Sequence, residues 1–123
     1  MRSSKKRWRH MAISKFIGLL GMAAKAGRLT FGTSLVRTKI QSKQKPSLVL
    51  LSSDSSDNTK KRIINCCTYY GCRFKIVSHT SDELGARTGR EGSISCIAVN
   101  DEGFATAMEK AIDETSPEVF QNN

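Results

Sequence analysis

Apolar residues along this chain recur first at helical spacing, then in short unbroken runs, and the two patterns alternate to the end. Phe16, Ile17, Leu20, Ala23 and Ala24 mark one helix face, with Ser14 as the expected cap and Gly27 as the stop. Arg28–Phe31 reads as a short strand or extended link. Gly32-Thr33-Ser34 then opens a helix whose inner face is expected to be Leu35, Val36 and Ile40. After Pro46, Leu48-Val49-Leu50-Leu51 is a continuous apolar run of the kind found in a central strand covered on both faces. Ser55-Ser56-Asp57-Asn58 caps a helix expected to bury Ile63, Ile64, Cys67 and Tyr70 and to stop at Gly71.

Phe74–Val77 is the next predicted strand. Thr80 with Glu83 three residues on has the spacing of a capping box, starting a short helix that ends near Gly89. Ser93–Val99 is a further strand, and Asp101 caps a last helix burying Phe104, Met108, Ala111 and Ile112. Strands alternating with helices predict one small sheet with helices on both faces, an α/β/α sandwich. The 123 residues suit one such domain, placed here at residues 14–115, with residues 1–13 a basic flexible tail and 116–123 a frayed end.

Charge changes the picture most. Residues 1–53 carry twelve lysines and arginines and no acid, whereas from Asp54 onwards eight basic residues face all eleven acidic ones. A half-chain that is basic throughout suits a polyanion, because each neutralised phosphate releases condensed counterions. In the tail, Trp8 lies among Arg2, Lys5, Lys6, Arg7 and Arg9, where it is available to stack on a base. The basic start and the run Phe16–Ala24 superficially copy a secretory signal, but Lys25 fits poorly at a cleavage site and Gly18 and Gly21 interrupt the run. The reading is therefore a cytoplasmic chain without a membrane partner.

Candidate chemistry is sparse. Cys66, Cys67, Cys72 and Cys96 form no C-x-x-C pair, and His10 and His79 stand far from any metal-ligand spacing, so reduced cysteines and no metal or cofactor are expected. The stretch Gly85-Ala86-Arg87-Thr88-Gly89-Arg90-Glu91-Gly92 fits neither a phosphate loop nor a dinucleotide fingerprint. No nucleophile has a base motif beside it, and no enzymatic activity is expected. Binding looks better. Gly32-Thr33-Ser34 places small residues at a helix start, where N–H groups and the helix dipole favour an anion, although ordinary capping explains them too. Leu84–Ile94 is a glycine-punctuated loop with Arg87 and Arg90 able to clamp a nucleotide, and Lys60-Lys61-Arg62 adds a third basic segment.

Taken in order, these phrases resemble a known family. Leu19–Ala23 with Ala26-Gly27-Arg28-Leu29, Gly32 with Leu35-Val36, Leu48–Ser53, Asn58–Lys61, Cys67–Tyr70, Leu84-Gly85, Gly89–Glu91 and Ile97–Val99 running into Asp101–Ala105 cover about four-fifths of the chain. They are similar to the kink-turn-binding ribosomal-protein superfamily of the L7Ae and L30e type, and most of all to its small bacterial L7Ae-like members. The resemblance implies a four-stranded mixed sheet and recognition of a bent RNA stem with tandem sheared G·A pairs. The expected partner is ribosomal, ribosome-associated or other structured RNA, and the chain is expected to be a monomer.

By the resemblance, Gly32, Thr33, Ser34 and Thr38 read the G·A edges, and Glu91, Gly92, Ser93 and Ile94 pack on the extruded bulge. Arg28, Arg37, Lys39, Lys60, Arg87 and Arg90 supply affinity. Archaeal and eukaryotic kink-turn readers carry Asn-Glu after Gly-Thr and a lysine four residues beyond the Asn. This chain has Ser34, Leu35 and Thr38 there, with Lys39 displaced by one. Two other readings remain open at this level: an RNA-recognition module of a methyltransferase-type assembly, and a basic protein-interaction module.

Overall fold

The structure, a computed structural model, describes the backbone of residues 2–115 and the side chains of residues 10–115. Its elements are α1 (Arg2–Lys25), β1 (Leu29–Phe31), α2 (Thr33–Ile40), β2 (Leu48–Leu51), α3 (Asp57–Tyr70), β3 (Phe74–Ile76), α4 (Ser81–Arg87), β4 (Cys96–Val99) and α5 (Glu102–Thr115). The strands form one sheet in the order β1-β4-β2-β3. β4 is antiparallel to both β1 and β2, and β3 is parallel to β2, so the sheet is mixed.

β2 and β4 explain the three layers. Successive side chains of a strand point to opposite faces, and here both faces are dry. Leu48, Leu50, Ile97 and Val99 meet Phe16, Leu20 and Ala23 of α1, Leu84 of α4, and Ala105, Met108 and Ala111 of α5. Val49, Leu51, Cys96 and Ala98 meet Val36 and Ile40 of α2 and Ile63 and Cys67 of α3. All eight residues of the two strands are fully buried. The predicted α/β/α sandwich with a four-stranded mixed sheet is therefore the observed one.

Several local expectations are corrected. Helix α1 starts at Arg2 rather than at Ser14. Residues 2–13 contain good helix formers and no proline or glycine to stop the turn, and Ala12 extends the buried stripe of Phe16, Leu20 and Ala23 by one turn. The segment read as a flexible tail is thus described as helix, while the frayed end at 116–123 lies outside the described residues. Gly27 ends α1 as expected, with the Arg28 N–H donating to the Ala23 carbonyl at 2.9 Å.

Leu35 is not on the inner face of α2; it is 63% exposed, because an eight-residue helix aims only the Val36/Ile40 pair at the sheet. Tyr70 is exposed, and Ile64, Phe104 and Ile112 are only partly buried. β4 begins at Cys96 rather than Ser93, since the Ile94 N–H donates to the Ser81 carbonyl at 3.0 Å instead of to a strand. β3 stops at Ile76, one residue before the predicted Val77.

The four cysteines are free, with Cys66 and Cys67 adjacent on α3. Burial pushes the Cys67 and Cys96 thiols up to about 12, so both stay protonated and behave as small apolar groups. Burial also pushes His79 below its ordinary value; its ring packs 5.5 Å from that of Phe16. Among the described residues no helix is long and apolar enough to cross a membrane, and no group of three His, Cys, Asp or Glu is placed to hold a metal.

Candidate nucleic-acid interface

Strands β1, β2 and β3 run the same way, so their C-terminal ends gather at one end of the sheet together with the start of β4. Hydrogen bonds tie this end together. The Gly32 N–H donates to the Cys96 carbonyl at 3.0 Å, the Ser52 N–H to the Ser95 carbonyl at 2.9 Å, and the Ser53 N–H to the His79 carbonyl at 2.9 Å. Helices α2, α3 and α4 all start here, which in an open α/β sheet is where ligands are bound.

The three starts are not equivalent. The Ser56 hydroxyl accepts from the Thr59 N–H at 3.1 Å at the head of α3. At α4 the capping box is complete, Thr80 taking the Glu83 N–H and Glu83 taking the Thr80 N–H. α2 begins at Gly32 with no side-chain cap. Its first N–H groups therefore face outward without an intrahelical or side-chain acceptor. Gly32 adopts φ 96, ψ 144, a backbone conformation that L side chains rarely enter. Thr33, half-buried, and Ser34, exposed, follow it, so an approaching phosphate or base edge meets N–H and hydroxyl groups and little bulk. The ordinary-capping account of Gly32-Thr33-Ser34 thus fails for its own helix.

The loop between α4 and β4 stands beside this start. The Arg90 guanidinium lies 4.3 Å over the ring of Phe31, the residue just before Gly32. Further back, the Arg90 N–H donates to the Gly85 carbonyl at 2.9 Å, and the Ser93 hydroxyl donates to an Asp82 carboxylate oxygen. A Cβ placed on Gly85 would come within 2.1 Å of the Gly92 carbonyl oxygen, so α4 and the loop touch backbone to backbone. Glu91, Gly92 and Ser93 are exposed at the loop tip and Ile94 is partly covered.

The structure therefore brings Gly32, Thr33 and Ser34 together with Arg90 and Glu91–Ile94. Thr38 lies one turn along from Ser34, with its hydroxyl donating to the Ser34 carbonyl at 3.1 Å, so what it offers outward is an acceptor. Lys39 and Arg37 are half-buried in the last turn of α2. Arg28 is not part of the cluster: it precedes β1 at the opposite end of the sheet, 3.9 Å from Asp101. Lys60 is at the right end, but its ammonium donates to the Ser53 carbonyl at 3.3 Å. Arg87 is exposed at the end of α4.

Two features were missed by sequence reasoning. One is Phe31 as the platform for Arg90. The other is an open groove of about 480 Å³ along the outer side of α2, lined by Thr30, Leu35, Thr38, Lys39, Ser42, Lys43 and Gln44. Helical spacing carried a signal for it, because Ser34, Leu35, Thr38 and Ser42 share one face. Electrostatics favour an anion on this side. Among the described residues the only ion pairs join Arg28 to Asp101, Arg73 to Glu102 and Glu109, and Lys75 to Asp113. None uses a cation of α2 or of the α4–β4 loop.

The Asp54 carboxylate near this end is already occupied. It accepts from the Ser81 N–H at 2.8 Å and from the Ser81 hydroxyl at 3.0 Å, and the first of these bonds does most to hold its pKa below the usual 3.8. A lowered folded-state value means that its stabilising contribution is complete above 3.8 and is lost as pH falls below it.

Comparison with known proteins identifies relatives over most of the chain. The chain is 34% identical over 103 residues to the RNA-binding protein YlxQ of Bacillus subtilis (strain 168), covering 84% of this chain and 100% of that one. It is 29% identical over 100 residues to the RNA-binding protein YlxQ of Enterococcus faecium, covering 80% and 92%. A solved structure of a Bacillus halodurans protein of unknown function superposes with a TM-score of 0.74 at 35% identity, covering 80% of this chain and 97% of that one. The Giardia lamblia 15.5kD RNA binding protein superposes with a TM-score of 0.68, covering 85% and 88%; at 11% identity it shares the fold. Residues 14–109 match the model of one family, and the chain belongs to it: the Ribosomal protein L7Ae/L30e/S12e/Gadd45 family.

Proposed function

We propose that this protein binds structured RNA without catalysing a reaction on it, and that its preferred target is a kink-turn stem in ribosomal or ribosome-associated RNA. The observation that carries the reading is the uncapped start of α2 at Gly32, set against a loop that Arg90 anchors on Phe31. Folded RNA is read by shape and by opened base edges, because the deep groove of a regular stem excludes side chains. Exposed N–H groups beside small residues suit such edges, and the names of the YlxQ relatives support RNA as the partner.

In this reading Gly32, Thr33, Ser34 and Thr38 face the G·A pairs, and Glu91, Gly92, Ser93 and Ile94 pack on the bulge. Lys39, Arg37, Arg87 and Arg90 supply most of the attraction, with smaller shares from Arg28 and Lys60, which already have partners. The binding surface lies within residues 14–115, and the basic residues in the first turns of α1 add unspecific charge. The protein acts as a cytoplasmic monomer.

The reading divides labour between choosing and attracting. Ser34→Ala is expected to weaken a kink-turn stem by about 1 kcal/mol and a straight stem hardly at all. Lys39→Ala is expected to weaken both stems alike and to reduce the salt dependence by about one phosphate contact. Fluorescence anisotropy on the two stems across a salt series checks both. Equal losses on both stems for the Ser34 variant would defeat the assignment.

A further inference from the structure

The groove along α2 does not end at the recognition residues; it leads away from them. It starts at Leu35, next to Ser34, and continues past Lys39 to Lys43 and Gln44 in the segment joining α2 to β2. Directly beyond, the Lys45 ammonium donates to the Ser42 carbonyl at 2.8 Å and stands 5.3 Å from the centre of the Tyr70 ring. Tyr70 in turn meets Tyr69 edge to face, with ring centres 4.9 Å apart. Tyr69 is 82% exposed at the last turn of α3.

The joint between the two helices is close, since the Gln41 amide approaches the Cys66 sulfur at 3.8 Å, one turn before Tyr70. No carboxylate occurs in the chain before Asp54, nor between Asp57 and Asp82, so neither α2, its following segment nor the second half of α3 brings a negative charge here. Arg73, just past Gly71, is turned to Glu102 and Glu109 on α5 and takes no part.

We propose that this track is a second RNA-contact surface, which takes single-stranded nucleotides running out of the bound stem, with Tyr69 stacking on a base and Lys43 and Lys45 on the phosphates. Aromatic rings beside ammonium groups are how proteins hold single strands without reading their sequence, because every base has a stacking face and every step a phosphate. Charge complementarity favours RNA over a protein partner, with Lys43 at the end of the groove and Lys45 beside the tyrosine pair. Tyr70, beside the Lys45 ammonium, gives Tyr69 an edge-to-face partner, and the rest of the exposed Tyr69 ring is free to meet a base. The inference rests on the RNA-binding reading above for the groove's upper end, but its own residues are distinct.

The test uses the full chain and three probes: a kink-turn stem, the same stem with an oligouridine extension on either strand, and free oligouridine. One of the two extensions is expected to tighten binding by roughly tenfold over the bare stem, a gain that Tyr69→Ala abolishes and Tyr69→Phe keeps. Lys45→Gln should reduce the gain and its salt dependence, and no variant should change binding to the bare stem. If neither extension tightens binding, or if the gain survives Tyr69→Ala, the proposal is overturned. Tyr69-dependent binding of free oligouridine by a protein that ignores the bare stem would uphold this surface while overturning the kink-turn reading.

Discussion

Gly85→Ala is expected to cost about 3 kcal/mol of stability, to lower the Tm by roughly 10 °C, and to weaken kink-turn binding by at least tenfold. The cause is a contact with no room in it. A methyl at Gly85 would stand 2.1 Å from the Gly92 carbonyl oxygen and 3.5 Å from the Arg90 carbonyl oxygen. Both are backbone atoms, so relief requires α4 or the loop to move as a whole. The loop is held to α4 by the Arg90 N–H on the Gly85 carbonyl and by the Ile94 N–H on the Ser81 carbonyl, so moving it displaces the segment assigned to the bulge. Thermal melts and anisotropy measure the two effects separately. Gly18→Ala is the control, because a methyl there meets nothing within 4 Å in the middle of α1; it should raise stability by about 0.5–1 kcal/mol and leave RNA binding alone. A stable, fully binding Gly85→Ala variant would show that the α4–loop contact is looser than described.

Gly32→Ala is the second large expectation, and its cause is different. A Cβ at Gly32 has nothing within 4 Å, so any loss comes from the backbone: φ 96 with ψ 144 is a region used almost solely by glycine, and holding alanine there costs about 1–3 kcal/mol. The chain can escape part of that cost by rotating the Phe31–Thr33 backbone, but the rotation turns the outward N–H groups of α2 and shifts the Phe31 ring under Arg90. The expected signature is a modest loss of stability, about 2 kcal/mol, with a larger loss of kink-turn affinity than of straight-stem affinity. Urea unfolding beside binding to both stems reads it. Wild-type values in both would mean that the start of α2 is not fixed in this geometry.

Much of the fold was legible because local signals and long-range packing agree in it. Leu48–Leu51 could be read as a central strand, since a run with no polar alternate position is tolerable only where both faces are covered. Ser56, Gly71 and the Thr80–Glu83 box marked helix ends by local hydrogen bonding alone. What was lost depended on distant partners. Leu35 looked like core, because hydrophobicity does not tell which of three neighbouring apolar residues an eight-residue helix can aim inward. Residues 2–13 looked like a tail because charge dominates them, although nothing in them breaks a helix. The start of β4 was misplaced because Ile94 bonds to Ser81 rather than to the sheet.

The site divides the same way. Gly32, Thr33 and Ser34 were singled out from residue type and position, and the loop from its glycines and arginines; the structure sets the two side by side through Phe31 and Arg90. Three glycines that looked alike as punctuation of one loop proved to differ. Gly85 is buried within α4, where a close backbone approach excludes any side chain, whereas Gly89 and Gly92 are exposed in the loop. The Arg90–Phe31 stack and the groove beside Lys39 and Lys43 join residues far apart in the chain, and no local pattern announces such a contact. The excess of basic residues identified a polyanion as partner but not the place where it is read. The place proposed for it is mostly neutral: an uncapped helix start and a glycine-rich loop tip, with the cations around it.

The most direct measurement compares the affinity of the full chain for a kink-turn stem with its affinity for the same stem whose sheared G·A pairs are replaced by Watson–Crick pairs, over a range of salt. A preference of roughly tenfold or more for the kinked stem is expected, kept as salt rises while both affinities fall together. Equal affinity for the two stems at every salt concentration would contradict it.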